Sequence, residues 1–88
     1  MLPPAQTIDL DSLRVGFAHR MTEVIEEAGN LEAFWRITRR STGRRSEWRS
    51  EGHKNWPEMK AFIEMVARAD INPAWLIFGR GPKRLSDV

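Results

Sequence analysis

The sequence predicts one small all-α domain built from about five short helices. Apolar residues recur at the three- and four-residue steps of a helix in several separate segments, and Gly, Asn or Pro stands between these segments. No segment shows the two-residue alternation of a strand or the Asn-Gly turn of a hairpin. With 88 residues, the chain is long enough for one small core and too short for a second lobe.

The first helix is predicted to begin at Leu10, after a flexible N-terminal arm over residues 1–9. Arg14 and Arg20 fall off the apolar stripe of this helix, and three of its glutamates are expected to form a solvated acidic face. The stripe comprises Leu10, Leu13, Phe17, Met21, Val24, Ile25 and Ala28, and the acidic face comprises Glu23, Glu26 and Glu27.

Gly29 and Asn30 predict the end of the first helix and the N-cap of a second. The second helix then begins at Leu31 and carries Glu32 in its first turn, where a negative charge is favourable. Its apolar residues are Leu31, Phe34, Trp35 and Ile37.

The polar stretch over residues 39–49 predicts a turn and a short third helix that Trp48 anchors to the core. Gly52 is expected to end that helix. Asn55 and Pro57 predict the start of a fourth helix, because proline is tolerated in the first turn, where its missing N–H has no intrahelical partner. The apolar stripe of this helix comprises Met59, Phe62, Ile63, Val66 and Ala67.

The fifth helix has the sharpest start signal in the chain. Asn72 is predicted to be its N-cap and Pro73 its first residue, and Ile71 is placed to pack against Leu76 across the cap. Gly79 is expected to end the helix. The sequence therefore predicts a domain over residues 10–82 and a C-terminal tail over residues 83–88.

Four tryptophans need a place in so short a chain. Trp48 and Trp75 lie on helical stripes, which is typical of core residues. Trp35 and Trp56 have two interpretations at this stage, packing inside the domain or stacking on nucleic-acid bases.

Composition and motifs argue against an enzyme. The chain has no cysteine, and His19 and His53 are too few to form a metal site or to complete a nucleophile, base and carboxylate set. No phosphate-binding glycine loop and no long apolar run occurs. We therefore expect no catalytic residues, no metal, no cofactor, no small-molecule ligand and no membrane contact, and the absence of cysteine favours a cytoplasmic protein.

Positive charge is concentrated in the middle of the chain. Residues 1–32 carry a formal charge of −4, residues 33–56 carry +5, and residues 57–88 carry +1. Six of the seven cations in the middle segment are arginines, whose planar guanidinium matches phosphate and the major-groove edge of guanine. This asymmetry indicates a polyanionic partner.

The string WLIFGRGP at residues 75–82 follows the Asn72-Pro73 cap. Together with the capped second helix and the turn into a basic third helix, it resembles the lambda-repressor-like helix-turn-helix family, in particular the DNA-binding domains of phage repressors of the Cro/CI type. The resemblance covers residues 12–82 and implies a five-helix helix-turn-helix fold. The centre departs from the family pattern, since Trp35 takes the place of a small residue and Arg39, Arg40 and Arg45 take atypical places.

Two registers for the third helix remain open. In one, the recognition helix begins at Ser41. In the other, the second helix continues to Ser41, Gly43 provides the turn, and the third helix runs over residues 44–50 with Trp48 as its core anchor. Both registers expose Arg44 and Arg49.

The resemblance implies a sequence-specific regulator of double-stranded DNA, a transcriptional repressor of phage or prophage type that binds a palindromic operator as a homodimer. Such a protein is expected in the bacterial cytoplasm, on the nucleoid. The expected base contacts are Thr42, Arg44, Arg45, Ser46 and Glu47, the expected phosphate contacts are Asn30, Arg36, Arg39, Arg40, Arg49 and Lys54, and the expected dimer interface is Trp75, Ile77 and Phe78.

A second hypothesis is a degenerate helix-turn-helix that has lost specific DNA binding. In that case the atypical turn and Trp35 would serve a protein partner, as in an antirepressor-like adaptor.

Overall fold

The computed structural model describes residues 8–38, 48–50 and 56–88. Within these ranges the chain forms four α-helices and contains no β-strand. The predicted all-α class is therefore confirmed, while the predicted third helix falls mostly on residues outside these ranges. The helices are α1 (Leu10–Ala28), α2 (Leu31–Thr38), α3 (Met59–Arg68) and α4 (Pro73–Phe78), and a short 3-10 helix, Leu85–Asp87, follows them.

Helix α1 begins at the predicted residue because Asp9 caps it. The Asp9 carboxylate accepts hydrogen bonds from the backbone N–H of Asp11 at 3.1 Å and of Ser12 at 3.2 Å. The hydroxyl of Ser12 also donates to it, and these hydrogen bonds lower the pKa of the Asp9 carboxyl. Gly29 ends the helix with φ 112°, a conformation that few other residues adopt.

The predicted apolar stripe of α1 is right in its centre and wrong at its start. Phe17, Met21 and Ile25 are buried, but Leu10 is 61% exposed, since the first turn of α1 extends past the core. Arg14, which the pattern places off the stripe, is instead one of the most buried residues of the helix.

Helix α2 has the predicted cap and start. The side-chain oxygen of Asn30 accepts a hydrogen bond from the N–H of Ala33 at 2.7 Å. At the other end of α2, the buried hydroxyl of Thr38 donates to the carbonyl of Phe34, so this polar side chain finds its hydrogen-bond partner within the same helix.

Helix α3 starts later than the sequence predicts. Pro57 is not in its first turn, because Glu58 has the extended backbone of an N-cap and Met59 is the first helical residue. Trp56 packs on Phe17 of α1 with ring centroids 5.3 Å apart. The chain runs extended from that contact into the helix.

Helix α4 confirms the predicted cap. The Asn72 side chain accepts a hydrogen bond from the N–H of Ala74, Pro73 opens the helix, and Gly79 ends it in the left-handed conformation with φ 73°. The side-chain nitrogen of Asn72 also donates to the carbonyl of Pro82 at 2.8 Å, so one residue fixes both the start of α4 and the turn after it.

Residues of all four helices form the core. Leu76 of α4 and Ile71 before it belong to the same buried cluster, as the predicted contact across the cap requires. The cluster comprises Phe17, Met21, Val24, Ile25, Phe34, Trp35, Met65, Val66, Ile71 and Leu76.

The segment predicted as a tail is attached to the domain. Arg84 forms an isolated antiparallel bridge with Ile71, and the Asp70 carboxylate accepts hydrogen bonds from the N–H and hydroxyl of Ser86. These hydrogen bonds lower the pKa of the Asp70 carboxyl. Residues 83–86 therefore close over the turn between α3 and α4.

The acidic face of α1 is not simply solvated, contrary to the prediction. The ammonium of Lys83 lies 2.7 Å from a Glu23 oxygen and 2.6 Å from a Glu27 oxygen, and Arg84 lies 3.3 Å from Glu27. Burial alone would lower the pKa of Lys83, but its hydrogen bonds to the two glutamates outweigh this and raise it. All three glutamates nevertheless remain exposed, as predicted.

Candidate nucleic-acid interface

The structure describes three of the residues predicted to contact DNA, namely Asn30, Arg36 and Arg49. All three are exposed. The choice between the two registers also falls on residues that the structure leaves out. The predicted contacts outside the described residues are Thr42, Arg44, Arg45, Ser46 and Glu47 for bases and Arg39, Arg40 and Lys54 for phosphates.

Arg36 is available to an anionic ligand. Its guanidinium pairs with Glu32 one turn earlier at 3.2 Å, and the two side chains are 74% and 82% exposed. An exposed ion pair at this spacing contributes only about 0.3 to 0.5 kcal/mol, so a phosphate can replace the carboxylate at little cost. Arg36 is therefore well placed to serve as a phosphate contact.

Asn30 is a weaker candidate than the sequence implies. Its side-chain oxygen is committed to capping α2, which leaves the amide nitrogen as the donor that this side chain can offer a phosphate. The exposed Glu32 carboxylate stands in the same first turn and repels an anion there.

Arg49 is exposed and follows a tryptophan that packs against the core. Trp48 is half-buried and packs edge-on against Trp35, with ring centroids 5.1 Å apart and an angle of 80° between the rings. The prediction that Trp48 anchors this part of the chain to the core is confirmed. Arg49 follows it with an exposed side chain.

The two tryptophans for which the sequence allowed two interpretations, Trp35 and Trp56, lie in different environments. Trp35 is 1% exposed and stacks on Phe34 at 5.3 Å, so it packs inside the domain and offers no face to a base. Trp56 keeps 37% of its surface exposed while one face covers Phe17.

The predicted dimer residues do not share one exposed face. Phe78 is 53% exposed, whereas Trp75 and Ile77 are half-buried. Trp75 packs against the core, and the ammonium of Lys83 lies 5.3 Å from its ring centroid. Phe78 borders an open groove of about 630 Å³ that is also lined by Ile8, Asp9, Ser12, Leu13, Arg20 and Arg80.

Arg20 joins the first helix to the last, a role that the sequence analysis did not foresee. Its guanidinium donates to the carbonyls of Leu76 and Ile77, at 2.8 Å each, at the C-terminal end of α4. Burial lowers the pKa of Arg20. The one sequence signal for this role was Gly16 in the middle of α1. Glycine is unfavourable within a helix, so its presence there suggests that another group packs where a larger side chain would lie.

Gly16 and Gly79 make room for this guanidinium. A Cβ added at Gly16 would lie 2.9 Å from an Arg20 nitrogen, and one added at Gly79 would lie 3.1 Å from the other. The two glycines therefore bracket the Arg20 side chain, and Gly79 also supplies the positive φ that ends α4.

We expect the effect of Gly16→Ala on stability to depend on Arg20. In the Arg20→Met background the alanine should raise the free energy of unfolding by about 0.5 to 1 kcal/mol, because alanine is the better helix former. In the wild-type background the added methyl group displaces the guanidinium, and this gain should disappear. Urea denaturation of the four proteins measures the coupling, and equal effects in both backgrounds would contradict the role of Gly16.

No protein-family model matches the chain, and neither a curated protein nor a solved structure is significantly similar to it. Among the residues that the structure describes, no three His, Asp or Glu side chains are grouped as a metal site would require. None of the helices in those ranges is both long and apolar enough to cross a membrane.

Proposed function

We propose that the protein is a sequence-specific regulator that binds double-stranded DNA, a transcriptional repressor of phage or prophage type. The single observation that carries this proposal is the segment of residues 33–56, with a formal charge of +5 between an acidic and a near-neutral part of the chain. Two of its arginines, Arg36 and Arg49, are exposed on either side of the predicted recognition segment. An all-α domain of this size is compatible with that function.

The roles within the segment follow from the chemistry of DNA. Arg44 and Arg45 can each present two donors to O6 and N7 of a guanine, while Glu47, Thr42 and Ser46 are suited to other base edges. The phosphates would be bound by the flanking cations, Arg36, Arg39, Arg40, Arg49 and Lys54, with Asn30 as a minor contact. The site needs no metal or cofactor.

The proposal includes a homodimer on a palindromic operator, as paired half-sites require a two-fold protein. Phe78 is the residue of the predicted interface with the most exposed apolar surface. Trp75 and Ile77 would support it from their half-buried positions. The protein would act in the bacterial cytoplasm, on the nucleoid.

Selection of DNA fragments by the purified protein tests the proposal. We expect salt-sensitive retention on heparin and enrichment of one palindromic sequence. If the protein is an antirepressor-like adaptor instead, heparin retention will be weak and no sequence will be enriched.

Arg44→Ala and Arg49→Ala should weaken binding to the selected operator in different ways. Loss of Arg44 is expected to cost about 1 to 3 kcal/mol per half-site and to relax the preference at one base pair, most readily a G·C pair. Loss of Arg49 should weaken binding to every sequence alike and reduce the salt slope by about one per subunit. The measurement is a titration on the operator and its single-base variants. Equal losses on all sequences for both variants would assign Arg44 to the phosphates.

A further inference from the structure

The open groove beside Phe78 lies between the start of α1 and the end of α4, and residues 33–56 do not line it. Its apolar lining comes from Ile8 and Leu13 on the α1 side and from Phe78 on the α4 side. Ile8 is 62% and Phe78 is 53% exposed, and Leu13 is half-buried. Covering apolar surface contributes about 25 cal/mol for each Å². A partner therefore gains free energy by binding in this groove.

Each side of the groove also carries one charge, and the two charges have opposite signs. Asp9 lines the groove on the α1 side, and Arg80 lines it on the α4 side. The Arg80 side chain is exposed and has no ion-pair or hydrogen-bond partner in the part of the chain that the structure describes. Arg80 and Asp9 therefore do not pair with each other within one copy of the chain.

The Asp9 carboxylate can accept a further hydrogen bond although it caps α1. Its Oδ1 accepts from the backbone N–H of Asp11 and of Ser12, whereas its Oδ2 accepts from the hydroxyl of Ser12. An ionised carboxylate offers about four acceptor positions. The hydrogen bonds of Ser12 lower the pKa of the Asp9 carboxyl the most, so this group is negatively charged at neutral pH.

The two sides of the groove are fixed relative to each other. The guanidinium of Arg20 also lines the groove, and it donates to the carbonyls of Leu76 and Ile77 at 2.8 Å each. These hydrogen bonds link α1 to the end of α4. A surface that is already ordered loses less entropy when it binds, so the groove is prepared for an interface.

A surface with these two sides is complementary to itself. In an interface with two-fold symmetry both copies use the same patch, so residue i of one copy contacts residue j of the other, and j contacts i. With the axis through the middle of the groove, the α1 side of each copy faces the α4 side of the other. Apolar side chains then contact apolar side chains, the anion faces the cation, and each contact forms twice.

The same features argue against other occupants. The groove is open, whereas a site for a small molecule encloses most of the surface of its ligand. A nucleic acid would place its phosphates against the Asp9 carboxylate. An apolar peptide with one kind of charge would leave Asp9 or Arg80 unpaired. A second copy of the chain pairs both charges and covers the apolar lining.

We propose that this groove is a two-fold interface between copies of the chain. Phe78 of each copy packs against Ile8 and Leu13 of the other, and Arg80 pairs with Asp9 of the other copy. This inference rests on the proposed function, which calls for a homodimer, and it identifies the surface that Phe78 contacts. The contact does not involve DNA, so dimerisation is measured on the protein alone.

Complementary charge reversals test the pairing of Arg80 with Asp9. Arg80→Glu alone sets two anions against each other at both contacts, and Asp9→Lys alone sets two cations against each other. In a mixed dimer of the two variants, each contact again joins an anion and a cation. Sedimentation equilibrium of the full chain compares the wild type, each variant and their equimolar mixture.

We expect the wild type to dimerise reversibly and each charge variant to dimerise at least about tenfold more weakly, because like charges then face each other. The mixture should form heterodimers with an affinity near that of the wild type. Lys60→Glu is the matched control. It changes the net charge by the same amount at an exposed position of α3 that does not line the groove, and it should leave dimerisation unchanged.

Phe78→Ala tests the apolar part of the interface. Removing a ring that packs in the centre of an interface should weaken dimerisation about tenfold or more. Ile63→Ala is its control, because Ile63 is 54% exposed on α3 and does not line the groove. Circular dichroism establishes that each variant is folded.

Asp9→Lys also removes the acceptor that caps α1, and this loss costs stability. Should that variant be unfolded, Asp9→Asn combined with Arg80→Glu takes its place. Asparagine keeps the capping acceptor and removes the negative charge, so the double variant should dimerise more strongly than Arg80→Glu alone.

The inference is overturned if folded Arg80→Glu and Phe78→Ala dimerise as well as the wild type, or if the mixture of folded charge variants stays monomeric. A wild-type chain that stays monomeric up to its solubility limit overturns it as well. The proposed function fails separately. A wild-type chain that dimerises through this groove and selects no DNA sequence would refute the DNA-binding regulator and leave the interface standing.

Discussion

Replacing Trp35 with alanine is expected to lower the free energy of unfolding by about 3 to 5 kcal/mol. The indole is 1% exposed, stacks on Phe34 and receives the edge of Trp48, so its removal leaves a cavity lined by aromatic rings. The total stability of a domain this size is about 4 to 13 kcal/mol. The variant should therefore be marginally stable or unfolded, and circular dichroism with urea denaturation measures the loss.

Ile37→Ala on the same helix is the control for the Trp35 variant. Ile37 is 53% exposed, so its truncation should change the free energy of unfolding by about 0.5 kcal/mol or less. A Trp35→Ala protein as stable as Ile37→Ala would mean that the aromatic cluster does not form the core.

DNA affinity should fall steeply with salt. If each subunit neutralises about four to six phosphates, log K against log[salt] has a slope of about −0.9 per contact, or about −7 to −11 for a dimer. The chain has enough cations for four to six phosphate contacts per subunit, since residues 33–56 alone carry six arginines and one lysine. Fluorescence anisotropy on the operator at increasing salt concentrations measures the slope.

A slope shallower than about −2 would contradict the proposed DNA-binding function, because it would leave fewer contacts than a single subunit is expected to make. Measurement on a non-operator duplex separates the contribution of the phosphate contacts to binding from that of the base contacts. The slope should be similar there, while the affinity should be lower by the contribution of the base contacts.

Local signals were enough to predict the N-caps of α2 and α4. Asn30 and Asn72 each supply the side-chain acceptor that their position suggested, and Gly29 and Gly79 end the helices that precede them. Such signals depend on a few neighbouring residues, so one sequence reveals them. The start of α3 was placed too early, because the contact of Trp56 with Phe17 joins residues far apart in the chain.

The interactions of the arginines could not be predicted from the sequence. Helical spacing placed Arg14 and Arg20 off the apolar stripe, yet Arg14 is buried under two aromatic rings and Arg20 reaches the end of α4. Periodicity assigns a side chain to a face by its polarity, and it takes no account of the long apolar stem of an arginine or of distant carbonyl groups. The same limit applies to the ion pairs of Glu23 and Glu27 with Lys83.

The contacts of α1 with α4 and with the segment after it bear on how the protein folds while it is being synthesised. Arg20 and Ile77 are 57 residues apart in the chain, as are Glu27 and Arg84. At about 5 to 20 residues per second, a ribosome needs about 3 to 11 s to add that many residues. During this interval the apolar side of α1 lacks α4 and its glutamates lack Lys83 and Arg84. Completion of the core must therefore await α4, and until then the nascent chain exposes an apolar surface that a chaperone can bind.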